Sequence, residues 1–451
     1  VQHELLLFAA AFFALGMIDE FALDCTYVWM RLTGRIATPR LKEGDPEAIT
    51  SLAGPAAVFI PTWREEAVIG PTLVHMLDVW PQPEVTIYVG CYRNDPYTMA
   101  AVIAATRGDP RVRLVIHGED GPTSKADCLN RLYRALEEDE ARSGQKASMV
   151  VLHDAEDMVD PAALSLLDQA LWHAQFVQLP VLALPQHRSP WIGSHYSDEF
   201  AESHGKALVV RDALGAAIPG AGVGCGIARN ALAALAAREG GSPFARESLT
   251  EDYELGLKIA QAGGRGRFIR VRGCDGRLIA TRAFFPTGRD ESVRQKTRWM
   301  HGIALQGWDR MGWSGGLLDG WRRLRDRRGP LAAMVLFVAY LLIVLSGMLM
   351  VAQLLGHGRH FTLTPLTEGL LLANAASLLW RAVCRAVFTG REYGLAEGVR
   401  AIMRIPLGNI IAIMAGRRAV VQYVGSLRGN MLTWDKTEHR GHPSLDRGLP
   451  A

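Results

Sequence analysis

Cysteine is scarce in this chain: six residues in 451 (Cys25, Cys91, Cys128, Cys225, Cys274 and Cys384), far apart and with no CxxC pair. That excludes a disulfide framework and a cysteine zinc site, and it places the main domain in a reducing compartment. Net charge is also lacking. A formal +3 is too small for a nucleic-acid binder. There is no internal repeat and no low-complexity tract, which excludes solenoids and disordered scaffolds. No basic region precedes the first apolar segment and no small-residue cleavage site follows it, so a signal peptide is not expected. What the chain does have is apolar residues, 49% of the total, and a slightly positive mean hydropathy. With a length that allows two or three domains, this points to partial membrane content.

The apolar residues fall into blocks. Leu5–Met30 reads as a transmembrane helix interrupted by Asp19, Glu20 and Asp24, acids expected to face protein rather than lipid. Arg31, Arg35, Arg40 and Lys42 follow and assign the next region to the cytoplasm. Arg322, Arg323, Arg325, Arg327 and Arg328 form a dense basic cluster before the uncharged run Pro330–Gly356, which is long enough to cross a bilayer. After a polar turn, Leu366–Trp380 ends at Arg381 and Arg385, so the basic residues lie on one side of three spans. Ile402–Ala415 carries Arg404, Pro406 and Asn409, and at this length it reads as interfacial or re-entrant. The division expected is 1–32 for an N-terminal transmembrane helix and 40–325 for a cytoplasmic domain. Two transmembrane helices follow in 330–390, then an interfacial helix and cytoplasmic tail in 391–451.

Between the first two blocks, short apolar runs alternate with helical spacing. Ala56–Pro61, Val85–Cys91, Val112–Gly118 and Ser148–Asp154 predict strands, and Glu66–Val79, Tyr97–Arg107 and Ser124–Ser143 predict helices. Such alternation predicts a parallel sheet with helices on both faces. Further on, Phe176–Leu184 and Arg267–Val271 predict strands, and Ser197–Leu214 and Leu249–Ala262 helices.

Ligands of an open α/β sheet bind beyond the carboxyl ends of its strands. There, after Val150–Leu152, stand His153-Asp154-Ala155-Glu156-Asp157. Closely spaced carboxylates repel unless a cation lies between them, and a hard divalent ion on a phosphate is the usual solution. Thr250-Glu251-Asp252 opens a predicted helix that Thr250 is placed to cap, and Asp252 is the candidate general base. Gln295, Arg298 and Trp299 share one helix face at i, i+3 and i+4. The guanidinium suits phosphate oxygens and the indole suits the C–H face of a sugar ring. Gly220–Gly226 invites a dinucleotide reading but fails the GxGxxG spacing, since position 225 is Cys and 227 is Ile. A loop bringing backbone close to a bound sugar fits it better.

Taken in order, Pro61-Thr62-Trp63-Arg64-Glu65-Glu66, Asn94-Asp95, Lys125–Asn130, Asp154-Ala155-Glu156, Thr250-Glu251-Asp252 and Gln295-x-x-Arg298-Trp299 resemble the membrane-bound family 2 glycosyltransferases of the cellulose and hyaluronan synthase kind. His153–Asp157, Asn94-Asp95-Pro96 and the Trp434–His439 tail are similar to the NfrB-type inner-membrane transferases. The resemblance implies a GT-A (Rossmann-like) α/β glycosyltransferase domain joined to an α-helical transmembrane region. It implies that Glu65 and Asp95 line the nucleotide pocket, that Lys125 and Arg298 face the diphosphate, and that Asp154 and Glu156 hold Mg²⁺ or Mn²⁺. It gives Asp252 the acceptor proton, and Gln295, Trp299 and Glu251 the acceptor. Glu156 departs from the family's usual DxD by one methylene.

The implied activity is inverting transfer of a hexosyl or N-acetylhexosaminyl group. The donor would be a nucleotide sugar, expected to be UDP-linked, and the acceptor a growing polysaccharide at the cytoplasmic face of a bacterial inner membrane. Transfer of one sugar to a membrane lipid and a non-catalytic scaffold for surface glycan assembly are the rival readings. Export of the product would need a partner protein or a homo-oligomer, given the small membrane region. No PilZ-type RxxxR follows the membrane segments, so control by cyclic di-GMP in cis is not expected.

Overall fold

The computed structural model describes residues 2–42, 51–313, 316–356, 363–429 and 441–445. The Trp434–His439 motif lies outside the described residues. Among the described residues there are nine strands: β1 Ala56–Pro61, β2 Val85–Tyr92, β3 Val112–His117, β4 Met149–Leu152, β5 Phe176–Gln178, β6 Val181–Ala183, β7 Cys225–Ala228, β8 Gly266–Phe268 and β9 Thr281–Ala283. Seven form one sheet in the order β3-β2-β1-β4-β7-β5-β8, and β6 pairs with β9. β1 is buried along its whole length. Its alternate residues serve two layers. Val58 and Ile60 join Trp80, Val151, Leu164 and Leu167 on one side, and Ala57 and Phe59 join Leu129, Leu132, Val150 and Ile227 on the other. A strand covered on both faces needs a continuous apolar run, which is what made β1, β2 and β4 visible in the sequence.

The sheet is mixed rather than wholly parallel. β7 runs antiparallel to both β4 and β5, and it lies in the glycine-rich stretch that was expected to be a loop throughout. The strand expected over Phe176–Leu184 is two strands. The chain leaves the main sheet after Gln178, Pro180 brings no N–H to a ladder, and Val181–Ala183 pairs instead with Thr281–Ala283.

Four described helices are long and apolar enough to cross a membrane: His3–Leu32, Gly329–Leu354, Pro365–Tyr393 and Leu395–Leu427. The last corrects the 14-residue expectation for Ile402–Ala415. It is one helix of 33 residues with Pro406 inside it. Arg404, within it, is 1% exposed and pairs through its guanidinium with Asp198 at 2.7 and 2.8 Å and with Glu397 at 2.8 Å. The acids of the first helix do face protein. Asp19 and Glu20 pair with Arg325 and Arg328. Asp24 accepts from Lys206 of the sheet domain at 2.5 Å and from the Trp380 indole at 2.8 Å. The basic cluster therefore ties the first helix to the segment that leads into the second.

Candidate functional site

The site is assembled where β4 ends. Asp157 is 1% exposed and accepts from His153 Nδ1 at 2.8 Å and from the Asp154 backbone N–H at 2.9 Å. This folds the acidic knot back on itself. These bonds fix His153 and Asp157, and Asp154, Glu156 and Asp157 all line a cleft of about 670 Å³, within the range of small-molecule sites.

Lys125 begins the helix Lys125–Ser143, capped by Ser124, whose side chain accepts from the Asp127 N–H at 3.2 Å. Its Nζ lies 2.5 Å from Asp154 Oδ1. Burial opposes its charge, but Asp154, Glu251 and Asp252 outweigh burial and hold the ammonium well above its ordinary value. Opposite stands the start of the helix Glu251–Gln261. Burial, then the charge of Asp252, lifts the Glu251 carboxyl to about 7, with Lys125 opposing. Burial also raises Asp252, again against Lys125. A buried acid pair in which both carboxyls are raised, Glu251 to about 7, is suited to taking up a proton.

Thr250 occupies the cap position of this helix but makes no side-chain cap bond. Its Oγ1 is buried without a hydrogen-bond partner. Thr250 packs closely on Gly302, where an added Cβ would stand 2.6 Å from Oγ1. The glycine loop packs closely on Asp252. A Cβ on Gly222 would fall 2.4 Å from Asp252 Oδ2, and one on Gly220 2.4 Å from the Asp252 carbonyl oxygen. The loop is held by Gln178, fully buried, which accepts from the Ala221 N–H at 2.8 Å and donates to the Val223 carbonyl at 2.8 Å.

The third wall is the helix Arg289–Trp299, which widens into a π-helical segment over Met300–Gln306. Gln295, Arg298 and Trp299 all line the cleft. Trp299 presents its ring in a group with Tyr196, Phe200 and Phe285, at centroid distances of 5.9, 6.1 and 6.3 Å. At the end of the π segment, Gln306 accepts from the Leu249 N–H at 2.9 Å and donates to the Glu247 carbonyl at 2.6 Å. It thereby fastens the loop that leads into the Asp252 helix to the continuation of the helix that carries Trp299.

Eight of the ten residues singled out by sequence thus meet in one cleft: Lys125, Asp154, Glu156, Glu251, Asp252, Gln295, Arg298 and Trp299. Glu65 and Asp95 are not among the residues lining this cleft; they follow the ends of β1 and β2. Asp95 caps the helix Pro96–Thr106 and accepts from the Arg64 N–H at 2.6 Å. The Glu65 N–H donates to Thr98 Oγ1 at 2.9 Å. Both brace the turn after β1, where Arg64 sits at φ 53°. Phe200, Phe285, Gln178 and Gln306 went unnoticed in the sequence because nothing marks them until distant segments come together.

Among the described residues, no group of three His, Cys, Asp or Glu is arranged around one point. A Mg²⁺-type site does not require one, since such ions use one or two carboxylates and complete their shell with substrate phosphates and water. Asp154 and Glu156, two carboxylates on the cleft wall, fit that pattern.

Residues 53–302 match the model of the family described as glycosyltransferase like family 2. Over 445 residues the chain is 31% identical to bacteriophage adsorption protein B of Escherichia coli (strain K12) and, equally, to bacteriophage N4 adsorption protein B of Escherichia coli O157:H7. The match covers 94% of this chain and 60% of each relative, so the chain spans about 60% of their length. Among solved structures, a mannosyltransferase from Pyrobaculum calidifontis in complex with GDP-Man and Mn²⁺ matches at a TM-score of 0.50 and 17% identity. That match covers 89% of this chain and 99% of that one. At that identity the likeness speaks for the fold, the mixed-sheet GT-A arrangement. With more than half of its length inside the family model, this chain belongs to glycosyltransferase-like family 2.

Proposed function

We propose that the chain is an inverting glycosyltransferase that moves a sugar from a nucleotide-sugar donor, UDP-linked, to a growing glycan at the cytoplasmic face of the inner membrane. The observation that carries this reading is the convergence of Lys125, Asp154, Glu156, Asp252, Arg298 and Trp299 on one cleft. The donor's diphosphate lies between Lys125 and Arg298, which neutralise charge as the nucleoside diphosphate departs. Asp154 and Glu156 hold Mg²⁺ or Mn²⁺, which when bound supplies further neutralisation of the leaving group. Asp252 accepts the proton of the acceptor hydroxyl as that oxygen attacks the anomeric carbon. One base suffices for a single displacement, and the anomeric centre inverts. Trp299, with Phe200 and Phe285, offers the acceptor sugar an apolar wall.

Ser426 of the last helix also lines the cleft, so the acceptor enters beside the membrane region. This position supports the second reading, in which the acceptor is a single membrane lipid. We assign three helices to the bilayer, His3–Leu32, Gly329–Leu354 and Pro365–Tyr393, and the fourth, Leu395–Leu427, to its cytoplasmic surface. The fourth packs on the sheet-domain helices Arg289–Trp299 and His195–Glu202 as well as on the two spans before it.

The test is the purified chain in detergent against a panel of UDP- and GDP-sugars, reading released nucleoside diphosphate with and without EDTA. Release from one donor, abolished by EDTA, is expected. A ladder of products supports polymer synthesis and a single glycolipid the lipid acceptor. No release from any donor would favour the scaffold reading.

A further inference from the structure

Lys125 stands at an unusual point for a residue whose proposed role is to meet a diphosphate. Its Nζ contacts Asp154 Oδ1 at 2.5 Å, and the charges of Glu251 and Asp252 also act on it. Around the one carboxylate best placed to take a divalent ion, the positive charge is supplied by the protein itself. Among the described residues no third metal-ligating side chain joins Asp154 to make a complete site.

We infer that Lys125 is a stand-in cation: it occupies the electrostatic place of the divalent ion beside Asp154 until a nucleoside diphosphate draws it away, so that metal and nucleotide enter together. The inference rests on the reading of the cleft as a nucleotide-sugar site and adds an order of events to it. A divalent ion arriving alone meets an ammonium already bonded to its principal ligand, and the two cations repel. A diphosphate changes the balance. Its oxygens offer Lys125 a new partner and supply the ligands that Asp154 and Glu156 lack. The side chain is built for the exchange, since an ammonium on a four-carbon stem swings without moving the helix. Thr123 and Ser124, just before that helix, line the same cleft, so a phosphate drawn towards Lys125 also approaches the N-terminus of the helix.

The experiment is Mn²⁺ titration of the full chain in detergent, with free Mn²⁺ read by electron paramagnetic resonance, without nucleotide and with saturating UDP or GDP. Wild type should bind Mn²⁺ on the order of tenfold or more tightly with the nucleotide it accepts than without it. Lys125→Met should bind Mn²⁺ alone on the order of tenfold more tightly than wild type and gain little from nucleotide. Lys125→Arg, which keeps the charge, should bind Mn²⁺ alone as weakly as wild type. Adding Asp154→Asn to Lys125→Met should remove the gain, and matching circular dichroism and melting curves will establish that the variants are folded. Equal Mn²⁺ affinity in wild type and Lys125→Met, or a wild-type affinity indifferent to nucleotide that is nonetheless bound, would overturn the inference. Failure of every form to bind UDP or GDP would instead count against the donor reading. The Mn²⁺-alone comparison of wild type with Lys125→Met still decides the role of the lysine in that case.

Discussion

Gly222 offers a quantitative test of whether the position of Asp252 matters. It sits at φ +83°, and a Cβ built there lies 2.4 Å from Asp252 Oδ2, against about 3.4 Å for ordinary contact. In Gly222→Ala the carboxylate must therefore retreat by about 1 Å. Lys125 Nζ, at 3.7 Å from the same point, is left undisturbed. A misplacement of this size at a reacting group costs on the order of 10²-fold in rate. The positive φ adds a backbone cost of about 1–2 kcal/mol, partly offset by the stiffer unfolded chain. Gly240 is the matched control. It has φ +72° and nothing within 4 Å of its added Cβ, so Gly240→Ala bears the backbone cost alone. Both variants should melt lower than wild type, by about 2–4 °C per kcal/mol. Only Gly222→Ala should lose turnover, measured as nucleoside diphosphate released from the accepted donor, while nucleotide binding stays intact. If the two variants turn over equally, the placement of the Asp252 carboxylate is not what the reaction depends on, and the assignment of the base fails.

Two other predictions follow from the buried charges. Glu251 is lifted to about 7 by burial and by Asp252, so lowering the pH through this value puts a proton on the acid pair. Turnover should then fall below about pH 7 rather than near the ordinary carboxylate range, and Glu251→Gln should move that acid limb downwards by about one pH unit or more; a pH profile of kcat/KM checks both. Arg404→Leu removes the guanidinium that satisfies Asp198 at 2.7 and 2.8 Å in a site where both side chains are 1% exposed. Stranding that carboxylate should cost about 3–5 kcal/mol, read as a large fall in melting temperature and as protease sensitivity of the last helix.

The sequence was most readable where burial is complete. β1 and β4 are apolar runs because both faces are covered, and their ends located the cleft. Asp154, Glu156, Asp252, Gln295, Arg298 and Trp299 were readable as chemistry, since carboxylates and an Arg–Trp face ask for a ligand. Three kinds of feature were hidden. Glycine concealed β7, because Gly220–Gly226 has little side-chain pattern from which to tell loop from strand. Arg404 and Pro406 concealed the length of the last helix, because the partners Asp198 and Glu397 that make a buried arginine tolerable are not visible from its neighbours. The supports of the site, Gln178 on the glycine loop and Gln306 on the segment before Thr250, act across 43 and 57 residues of chain. No local pattern announces such contacts. The Arg322–Arg328 cluster was legible as a charge bias but not as a clasp on Asp19 and Glu20, some 300 residues earlier.

The central claim is that Asp252 takes the acceptor's proton beside a bound nucleotide sugar. Asp252→Asn is nearly isosteric, and its side-chain carbonyl can still accept the Tyr253 N–H that Asp252 Oδ1 accepts at 2.7 Å, so the fold and the diphosphate site should survive. The direct measurement is paired: nucleoside diphosphate affinity by calorimetry, and sugar transfer by product release, on the same preparation. Affinity should stay within about twofold of wild type, and transfer should fall on the order of 10²–10⁴-fold. Transfer at the wild-type rate from a folded Asp252→Asn protein would contradict this claim.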